Sequence, residues 1–264
     1  MNPYNRSQPR LTLVGAGPGD PDLITVKGAQ LLASADVILY DALVDPDLLV
    51  YARPSAELVF VGKRAGKHHL SQEEINSLIV SYALSCGHVV RLKGGDPFIF
   101  GRGFEEIEFA EAFGIETDVV PGISSLASVP GLQKIPLTKR GLNQSLWAVT
   151  GTTATGALSP DLKLAARSTA TVVIFMGMRK LPEITALFAE IGKGETPAAV
   201  IQGGSTEKEK IVLGKVSDIA EKARAEQIGT PGLIVIGETV GLHPELREQV
   251  FLAKPFINAR NEHA

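Results

Sequence analysis

The chain has 264 residues, of which 44% are hydrophobic and 21% are charged, as in a globular enzyme with one large or two modest α/β domains. Its formal net charge of −3 gives no reason to expect nucleic acid or an anionic membrane surface as a partner. The start MNPYNRSQPR is polar and lacks the apolar core of a signal peptide, and no apolar run approaches about 20 residues, so we expect a cytoplasmic protein without a membrane span.

Residues 1–10 are predicted to be a loose tail, after which β-rich runs alternate with helical stretches. This alternation predicts a largely parallel sheet with helices packed on it. The predicted strands of this first part are 11–14, 37–40, 58–61, 88–92 and 117–120.

The clearest predicted helix runs from Ser71 to Cys86. Ser71 and Glu74 have the spacing of a capping box, an apolar stripe follows at helical spacing, and Gly87 ends the helix. Cys86 is the only cysteine, which excludes a disulfide within the chain and indicates a reducing compartment. Its place on the apolar side predicts a buried structural role.

The segment 121–145 is rich in Gly, Pro, Ser and Thr, and we place a domain junction at its start. A second α/β unit follows, with a hairpin-like segment at 207–214. The predicted domains are an N-terminal α/β domain, 11–121, a C-terminal α/β domain, 122–244, and a C-terminal tail, 245–264. The predicted elements of the second domain are strands at 146–151, 171–177, 198–204 and 232–237, with helices near 182–191 and 216–226.

The turn VGAGPGD after the first strand has part of the G-x-G-x-x-G pattern of dinucleotide-binding proteins. Gly15 and Gly17 fit, but the third position is Asp20, a carboxylate where a pyrophosphate would lie. Pro18 removes a backbone N–H that a phosphate would need. Asp41, at the end of the second strand, stands about where a ribose-binding acid would be and keeps the dinucleotide alternative open.

Glycine-rich loops recur at predicted strand ends, in the segments 91–106, 120–125, 175–178 and 201–205. Glycines at several strand ends are typical of a crevice at a sheet edge, where the backbone approaches a ligand closely. The sequence therefore predicts a small-molecule site built from these loops.

The motifs VGAGPGDPDLIT, YDALV, VGKRAG, VVRLKGGDPFIFGRG, VPGISS, IPLT and MGM, in this order, resemble the tetrapyrrole methylase family. KGGDPFIFGRG is similar to the branch that C-methylates uroporphyrinogen III. The resemblance covers about residues 11–242. It implies two α/β domains with a cofactor cleft between them, a fold distinct from Rossmann-type methyltransferases, and a homodimer.

The implied activity is methylation of uroporphyrinogen III at C-2 and C-7, giving precorrin-2 through precorrin-1, with S-adenosylmethionine as donor and S-adenosylhomocysteine as product. The product would feed sirohaem, cobalamin or haem d1 biosynthesis. Because only ten residues precede Leu11, with no oxidase/chelatase module of a siroheme synthase among them, we expect the form of the enzyme that carries the methyltransferase function alone. The cofactor-binding positions that match the family motifs are Pro18, Gly94, Gly95, Asp96, Ile99, Ser124, Ser125, Met176 and Gly204. Taken alone, Asp96 also reads as a turn aspartate and Met176 as a strand-core methionine.

Asp41 and Lys63 match the family's proton acceptor and proton donor, although alone they read as a turn former and a surface charge. The resemblance implies that Arg102 holds a substrate carboxylate and that Glu105 helps proton transfer. The alternative is that the two form a surface ion pair, which would stabilise the helix by about 0.2–0.5 kcal/mol. A polycarboxylate substrate calls for cations, and the chain offers Arg64, Lys67, Lys139 and Arg140 for its binding. His68 and His69 have no further ligands at metal-site spacing, so no metal site is expected.

Phe104, Lys139 and Thr152 depart from the family pattern, which has glycine, histidine and histidine there; this puts substrate choice in doubt rather than cofactor identity. The alternatives are a sister methylase acting on a later precorrin, an NAD(P)-dependent reductase, and a non-catalytic sensor of tetrapyrrole or cofactor.

Overall fold

The computed structural model describes residues 8–62 and 70–247, and the chain divides after Ser128 into two compact α/β units. The domain boundary at 121/122 stays a prediction. The strands are β1 Arg10–Gly15, β2 Val37–Tyr40, β3 Glu57–Phe60, β4 His88–Lys93, β5 Glu116–Val120, β6 Leu146–Thr150, β7 Thr171–Phe175, β8 Pro197–Gln202, β9 Lys210–Lys215 and β10 Gly232–Ile236. The helices are α1 Val26–Ser34, α2 Gln72–Cys86, α3 Gly103–Glu111, α4 Ser125–Leu132, α5 Asp161–Arg167, α6 Leu181–Glu190 and α7 Ile219–Ala225.

The first unit contains a five-stranded sheet of order β3-β2-β4-β1-β5, and every pairing in it is parallel. The predicted parallel sheet is confirmed. All five strands therefore end at one edge, which we call the carboxyl edge, and begin at the opposite amino edge. The alternation of side chains along each strand supplies apolar residues to both faces.

Helices cover both faces of this sheet. Leu11, Leu13 and Leu39 pack with α2 and α3 on one face, which we call the α2–α3 face. Val14 and Ile38, one position out of phase, pack with α1 on the other, the α1 face. The first sheet is thus buried between two helical layers.

The capping box predicted at the start of α2 is present. Ser71 Oγ accepts the backbone N–H of Glu74, and the Glu74 side chain accepts the N–H of Ser71. Gly87 ends the helix with φ of 112°. The prediction for Cys86 is wrong, because Cys86 is exposed. Leu84 and Ser85 are exposed as well, so the last turn of α2 lies outside the packed part of the helix, which ends at buried Ala83.

The second unit has a five-stranded sheet of order β6-β7-β10-β8-β9. β6 and β7 are parallel, whereas β10 is antiparallel to β7 and β8, and β8 is antiparallel to β9. This sheet is therefore mixed rather than largely parallel. The β8–β9 pair confirms the hairpin, and α5, α6 and α7 supply residues to the adjoining core. Among the described residues, no helix is long and apolar enough to cross a membrane.

Candidate functional site

Three glycine-containing loops meet at the carboxyl edge of the first sheet, after β1, β4 and β5. A Cβ on Gly15 would lie 2.4 Å from the Cα of Gly122 and 2.6 Å from the carbonyl oxygen of Gly95. A Cβ on Gly122 would lie 2.2 Å from that same oxygen. No side chain fits such spaces, so the three loops pack backbone against backbone.

Gly17 and Gly95 join the first two of these loops through a pair of backbone hydrogen bonds. The Gly95 N–H donates to the Gly17 oxygen at 2.6 Å, and the Gly17 N–H donates to the Gly95 oxygen at 3.3 Å. Gly95 has φ of +66°, and apart from its own chain neighbours no atom of the described residues lies within 4 Å of the place where its Cβ would be. The backbone here is rigidly held and has open space beside it, which is what close approach of a ligand requires.

The connections from β1 and β4 leave this edge toward opposite faces. β1 leads to α1 on the α1 face, whereas its neighbour β4 leads to α3 on the α2–α3 face. Adjacent parallel strands with diverging connections form the switch point at which open α/β sheets bind ligands. The glycine loops after β1 and β4 flank this point, as the sequence predicts for a small-molecule site.

The loop after β1 is unsuited to a pyrophosphate. Asp20 accepts the N–H of Asp22 and caps a short 3₁₀ turn, Pro21–Leu23, in place of the third glycine. Helix α1 begins only at Val26, where Thr25 caps it by accepting the N–H of Gly28 at 3.1 Å. A dinucleotide site needs the helix N-terminus directly after the glycine turn, so this loop argues against the NAD(P) alternative.

Asp96 links the loops after β4 and β5. Its Oδ1 accepts the N–H of Phe98 at 2.8 Å, as in a turn, and its Oδ2 accepts the N–H of Gly122 at 3.1 Å. Ser124 Oγ accepts the N–H of Leu126 at the start of α4. Asp96 therefore does form a turn; its contact with a cofactor stays a prediction, as do those of Ser124 and Ser125. Pro18, Gly94 and Ile99 also lie in these loops and are partly or largely exposed.

Asp41 lies at the same edge, directly after β2. Its Oδ1 accepts the N–H of Leu43 at 3.0 Å, and its Oδ2 lies 3.3 Å from Nη2 of Arg91, while the side chain remains 24% exposed. A carboxylate held on both oxygens yet open to the edge is suitably placed to accept a proton. Lys63, its predicted proton-donating counterpart, lies outside the described residues, as do Arg64 and Lys67.

A buried group of charges beneath this edge was missed by the sequence analysis. Arg91, Lys93 and Glu106 are exposed by 3%, 4% and 1%. Glu106 accepts Lys93 Nζ at 2.9 and 3.0 Å and Arg91 Nε at 3.2 Å. Desolvation and the neighbouring Arg91 lower the pKa of Lys93, against the opposing effect of Glu106. The signal was present in HVVRLK, where two cations alternate within a buried strand.

Arg102 and Glu105 form the predicted ion pair at the start of α3, with Nε of Arg102 2.8 Å from Oε1 of Glu105. The side chains are 57% and 48% exposed. The hydrogen bond from Arg102 lowers the pKa of Glu105, so Glu105 is a carboxylate at neutral pH. Arg102 has φ of 56°, an uncommon conformation for a non-glycine residue. The pair's role in substrate binding stays a prediction.

The second unit carries the remaining predicted residues. Met176 follows β7 with φ of 53° and is 54% exposed, so it is not a strand-core methionine. Gly204 packs against Val129, whose Cγ1 would lie 2.4 Å from a Cβ on the glycine. Strained, exposed backbone such as that of Met176 is common at ligand sites.

Lys139 and Arg140 are exposed at the tip of a loop that Asn143 closes. Asn143 is 7% exposed; its Oδ1 accepts the N–H of Lys139, and its Nδ2 lies within hydrogen-bonding distance of the oxygens of Leu137 and Ser145. Lys139 and Arg140 are therefore two neighbouring cations on a loop whose backbone is held in place by Asn143. Within the described ranges, no three His, Cys, Asp or Glu side chains cluster as metal ligands; His68 and His69 fall outside those ranges.

Comparison with known proteins gives a family match over most of the chain. A model of "Tetrapyrrole (Corrin/Porphyrin) Methylases" matches residues 10–220. The chain is 44% identical over 235 residues to a uroporphyrinogen-III C-methyltransferase of Methanocaldococcus jannaschii, which covers 88% of this chain and 97% of that protein. It is 45% identical over 237 residues to siroheme synthase 2 of Aeromonas hydrophila, covering 89% of this chain and 50% of that one.

Two solved structures are similar over most of the chain. One is the uroporphyrin-III C-methyl transferase of Thermus thermophilus in complex with S-adenosyl homocysteine, with a TM-score of 0.76 and 40% identity over 88% of this chain and 99% of that one. The other is a cobalt precorrin-4 methyltransferase of cobalamin biosynthesis, with a TM-score of 0.79 and 30% identity over 88% and 96%. The predicted fold of two α/β units is thereby confirmed.

Proposed function

The chain belongs to the tetrapyrrole methylases, and from this premise we propose that it transfers methyl groups from S-adenosylmethionine to uroporphyrinogen III. The proposed positions are C-2 and C-7, which give precorrin-2 through precorrin-1. The observation that carries the proposal is the glycine-built carboxyl edge, which is open beside Gly95 yet unsuited to a phosphate. We also propose that the protein is cytoplasmic and that it forms a homodimer. Size-exclusion chromatography with light scattering tests the homodimer.

The residues at this edge fit a sulfonium cofactor. Gly95 leaves the space of a side chain open, and Asp20, Asp41 and Asp96 place three carboxylates around the loops. Negative charge favours a cationic ligand and disfavours a phosphate. The Thermus thermophilus relative was crystallised with S-adenosyl homocysteine, which supports the same ligand class for this chain.

S-adenosylmethionine, when bound, supplies a methyl group on a positively charged sulfur that is a good leaving group. In each transfer a C–C bond forms at a pyrrole carbon, the C–S bond breaks with its electron pair on sulfur, and the tetrapyrrole releases one proton. We propose that Asp41 accepts this proton, because its carboxylate is fixed at the edge and remains partly exposed. Lys63 is the proposed donor when a proton must return.

Cations are proposed to bind the substrate's carboxylates. Arg102 offers a guanidinium already oriented by Glu105, and Lys139 and Arg140 project from the loop held by Asn143. Phe104, at 60% exposure, adds an aromatic ring beside Arg102. Guanidinium groups bind carboxylates through two parallel hydrogen bonds, so we expect Arg102 and Arg140 to contribute more than Lys139.

The test is an anaerobic incubation of the purified protein with S-adenosylmethionine and freshly generated uroporphyrinogen III, with the product mass as the readout. We expect a gain of two methyl groups, and carbon NMR of a labelled product then locates them. If S-adenosylhomocysteine binds and no methyl is gained, the substrate assignment is wrong. If NAD(P)H protects the protein from thermal unfolding and S-adenosylhomocysteine does not, the cofactor assignment is wrong too.

A second candidate is methylation of a later precorrin. The similarity to the cobalt precorrin-4 methyltransferase, with its TM-score of 0.79, favours it. The higher identity of 44% to a uroporphyrinogen-III enzyme favours the first candidate. Parallel incubations with uroporphyrinogen III and with a late precorrin separate the two, since each predicts methyl gain on one substrate.

A further inference from the structure

We propose that Arg91 is a positioning residue that fixes the Asp41 carboxylate for proton transfer, as the end of a buried chain of charges beneath the carboxyl edge. This inference rests on the proposed function, in which Asp41 accepts the proton. It assigns a role to side chains that are almost fully buried and that do not reach the edge themselves.

Arg91 is placed to connect the core with the edge. It lies in β4 opposite Leu39 of β2, two residues before Asp41. Its Nη1 donates to the oxygen of Leu92 at 2.8 Å, while Nε donates to Glu106 at 3.2 Å and Nη2 to Asp41 at 3.3 Å. Each of the three guanidinium nitrogens therefore has a partner within the first unit, and Asp41 is the partner that lies nearest the carboxyl edge.

The balance of charge explains why Asp41 is needed there. Arg91 and Lys93 bring two buried positive charges, and Glu106 brings one negative charge that both cations share. Gln72 adds a neutral amide donor to Glu106 at 3.1 Å. Removing one partner from a buried group of charges is costly, because the remaining charge is left uncompensated. Asp41 supplies the second negative charge and so is drawn into one fixed position.

The fixed position has a chemical consequence. One oxygen of Asp41 is held by Arg91 and the other by the N–H of Leu43, so neither can rotate away from the edge. Each ionised oxygen has a further lone pair that is available to a substrate proton. A carboxylate held in this way reaches the reactive geometry without an ordering cost at each turnover.

The first experiment replaces Arg91 in the full chain by lysine, which keeps the charge but lacks the rigid fork of donors that holds Glu106 and Asp41 in fixed positions. We expect kcat for methyl transfer to fall about ten- to hundredfold, as for a catalytic group displaced by about 1 Å. The KM for S-adenosylmethionine and the affinity for S-adenosylhomocysteine should change less than about threefold, which is under 1 kcal/mol at 1.4 kcal/mol per factor of ten.

The deciding measurement is the same substitution in the Asp41→Asn background. If Arg91 acts through Asp41, Arg91→Lys changes kcat of Asp41→Asn less than about twofold, because coupled residues are not additive. An equal loss in both backgrounds would overturn the inference and leave the proposed function intact. Full activity of Asp41→Asn itself would overturn both the inference and the proposed role of Asp41.

Two further variants guard against a trivial loss of folding. Arg91→Gln leaves Lys93 and Glu106 as a neutral buried pair, so it is the variant expected to fold if Arg91→Lys does not, and it should give the same coupling. Ile79→Val removes a methylene from the α2–α3 face without touching these charges. It should lower stability and retain kcat; if it lowers kcat as much as Arg91→Lys does, the effect is general destabilisation and the inference fails.

Discussion

Asp41 is the residue on which the proposed chemistry depends most directly. Asp41→Asn keeps the shape of the side chain and an acceptor for the Leu43 N–H, but it removes the proton-accepting carboxylate. We expect kcat to fall by about 10²–10⁴, the usual contribution of a general base, with little change in the affinity for S-adenosylhomocysteine. Single-turnover methyl transfer and calorimetric titration measure the two quantities.

Asp47→Asn is the matched control for this substitution. Asp47 lies in the same connection between β2 and β3, is exposed, and follows the Asp45 cap of a 3₁₀ turn. It undergoes the same loss of charge, and among the described residues no hydrogen bond or ion pair joins its side chain to a candidate residue. Equal losses of kcat in the two variants would contradict a specific role for Asp41.

Gly95 allows a test of ligand approach to the backbone. Gly95→Ala places a methyl group in the open space at the carboxyl edge, at a positive φ that costs a non-glycine residue about 1 kcal/mol. We expect a modest loss of stability and a fall of about tenfold or more in affinity for S-adenosylhomocysteine, equivalent to at least about 1.4 kcal/mol. Denaturant unfolding and titration calorimetry give the two numbers.

Gly114 is the control that the chain itself provides. It has φ of +72°, and within the described part of the chain nothing beyond its neighbours lies within 4 Å of its Cβ position, but it follows α3 at the amino edge of the sheet. Gly114→Ala should therefore lose similar stability and keep cofactor affinity. A similar loss of affinity in both variants would show that backbone strain, rather than the space beside Gly95, is what matters.

Several residues were placed correctly from the sequence, because local chemistry determines them. The Arg102–Glu105 pair and the Ser71–Glu74 capping box require only positions three apart on a helix. The buried charges of Arg91, Lys93 and Glu106 were not foreseen, because they join β4 to α3 across the core. Charged residues are normally exposed, so a sequence pattern assigns them to the surface unless their partner is known.

At the scale of elements, the loop that ends at Asn143 shows how one side chain can organise a binding segment. Asn143→Ala leaves the N–H of Lys139, the oxygens of Leu137 and Ser145 and the buried hydroxyl of Thr171 without that partner. We expect a loss of about 1–3 kcal/mol in unfolding free energy. The KM for the tetrapyrrole should rise, because the loop that carries Lys139 and Arg140 is no longer held in one conformation. The KM for S-adenosylmethionine should stay unchanged.

Gln144→Ala removes an amide at the neighbouring position, whose side chain is exposed. Steady-state kinetics with each substrate varied in turn should leave both KM values of this control close to those of the wild-type protein. If Asn143→Ala changes stability alone, the loop has no part in substrate binding.

Strands were predicted well and their arrangement less well. Each β-rich run identified in the sequence is a strand or contains most of one, since apolar β-branched residues have a local preference for extended backbone. The insertion of β10 between β7 and β8, antiparallel to both, follows from contacts between distant segments. No local pattern reports such a contact, so the sequence predicts the strands of the second unit but not their order or direction.

For the whole molecule, the described histidines predict how stability depends on pH. Desolvation first, and then Arg10, lower the pKa of His88, against a raising effect of Asp36. Desolvation, aided by Lys134 and opposed by Glu245, lowers the pKa of His243. Both rings are therefore more easily protonated in the unfolded chain, whose histidines titrate at about pH 6.5, than in the folded protein.

The sign of the effect follows from proton linkage. Above the unfolded pKa both states are neutral and the stability is fully present, whereas below it the unfolded state binds protons that the folded state does not, and stability is lost. We expect the unfolding free energy to fall as the pH is lowered from about 7.5 to about 5.5, and to fall less in His88→Gln and least in His88→Gln/His243→Gln. Urea unfolding at several pH values measures this. An equally steep fall in the double variant would place the acid sensitivity in other groups, since the variant has neither of these two desolvated rings to protonate.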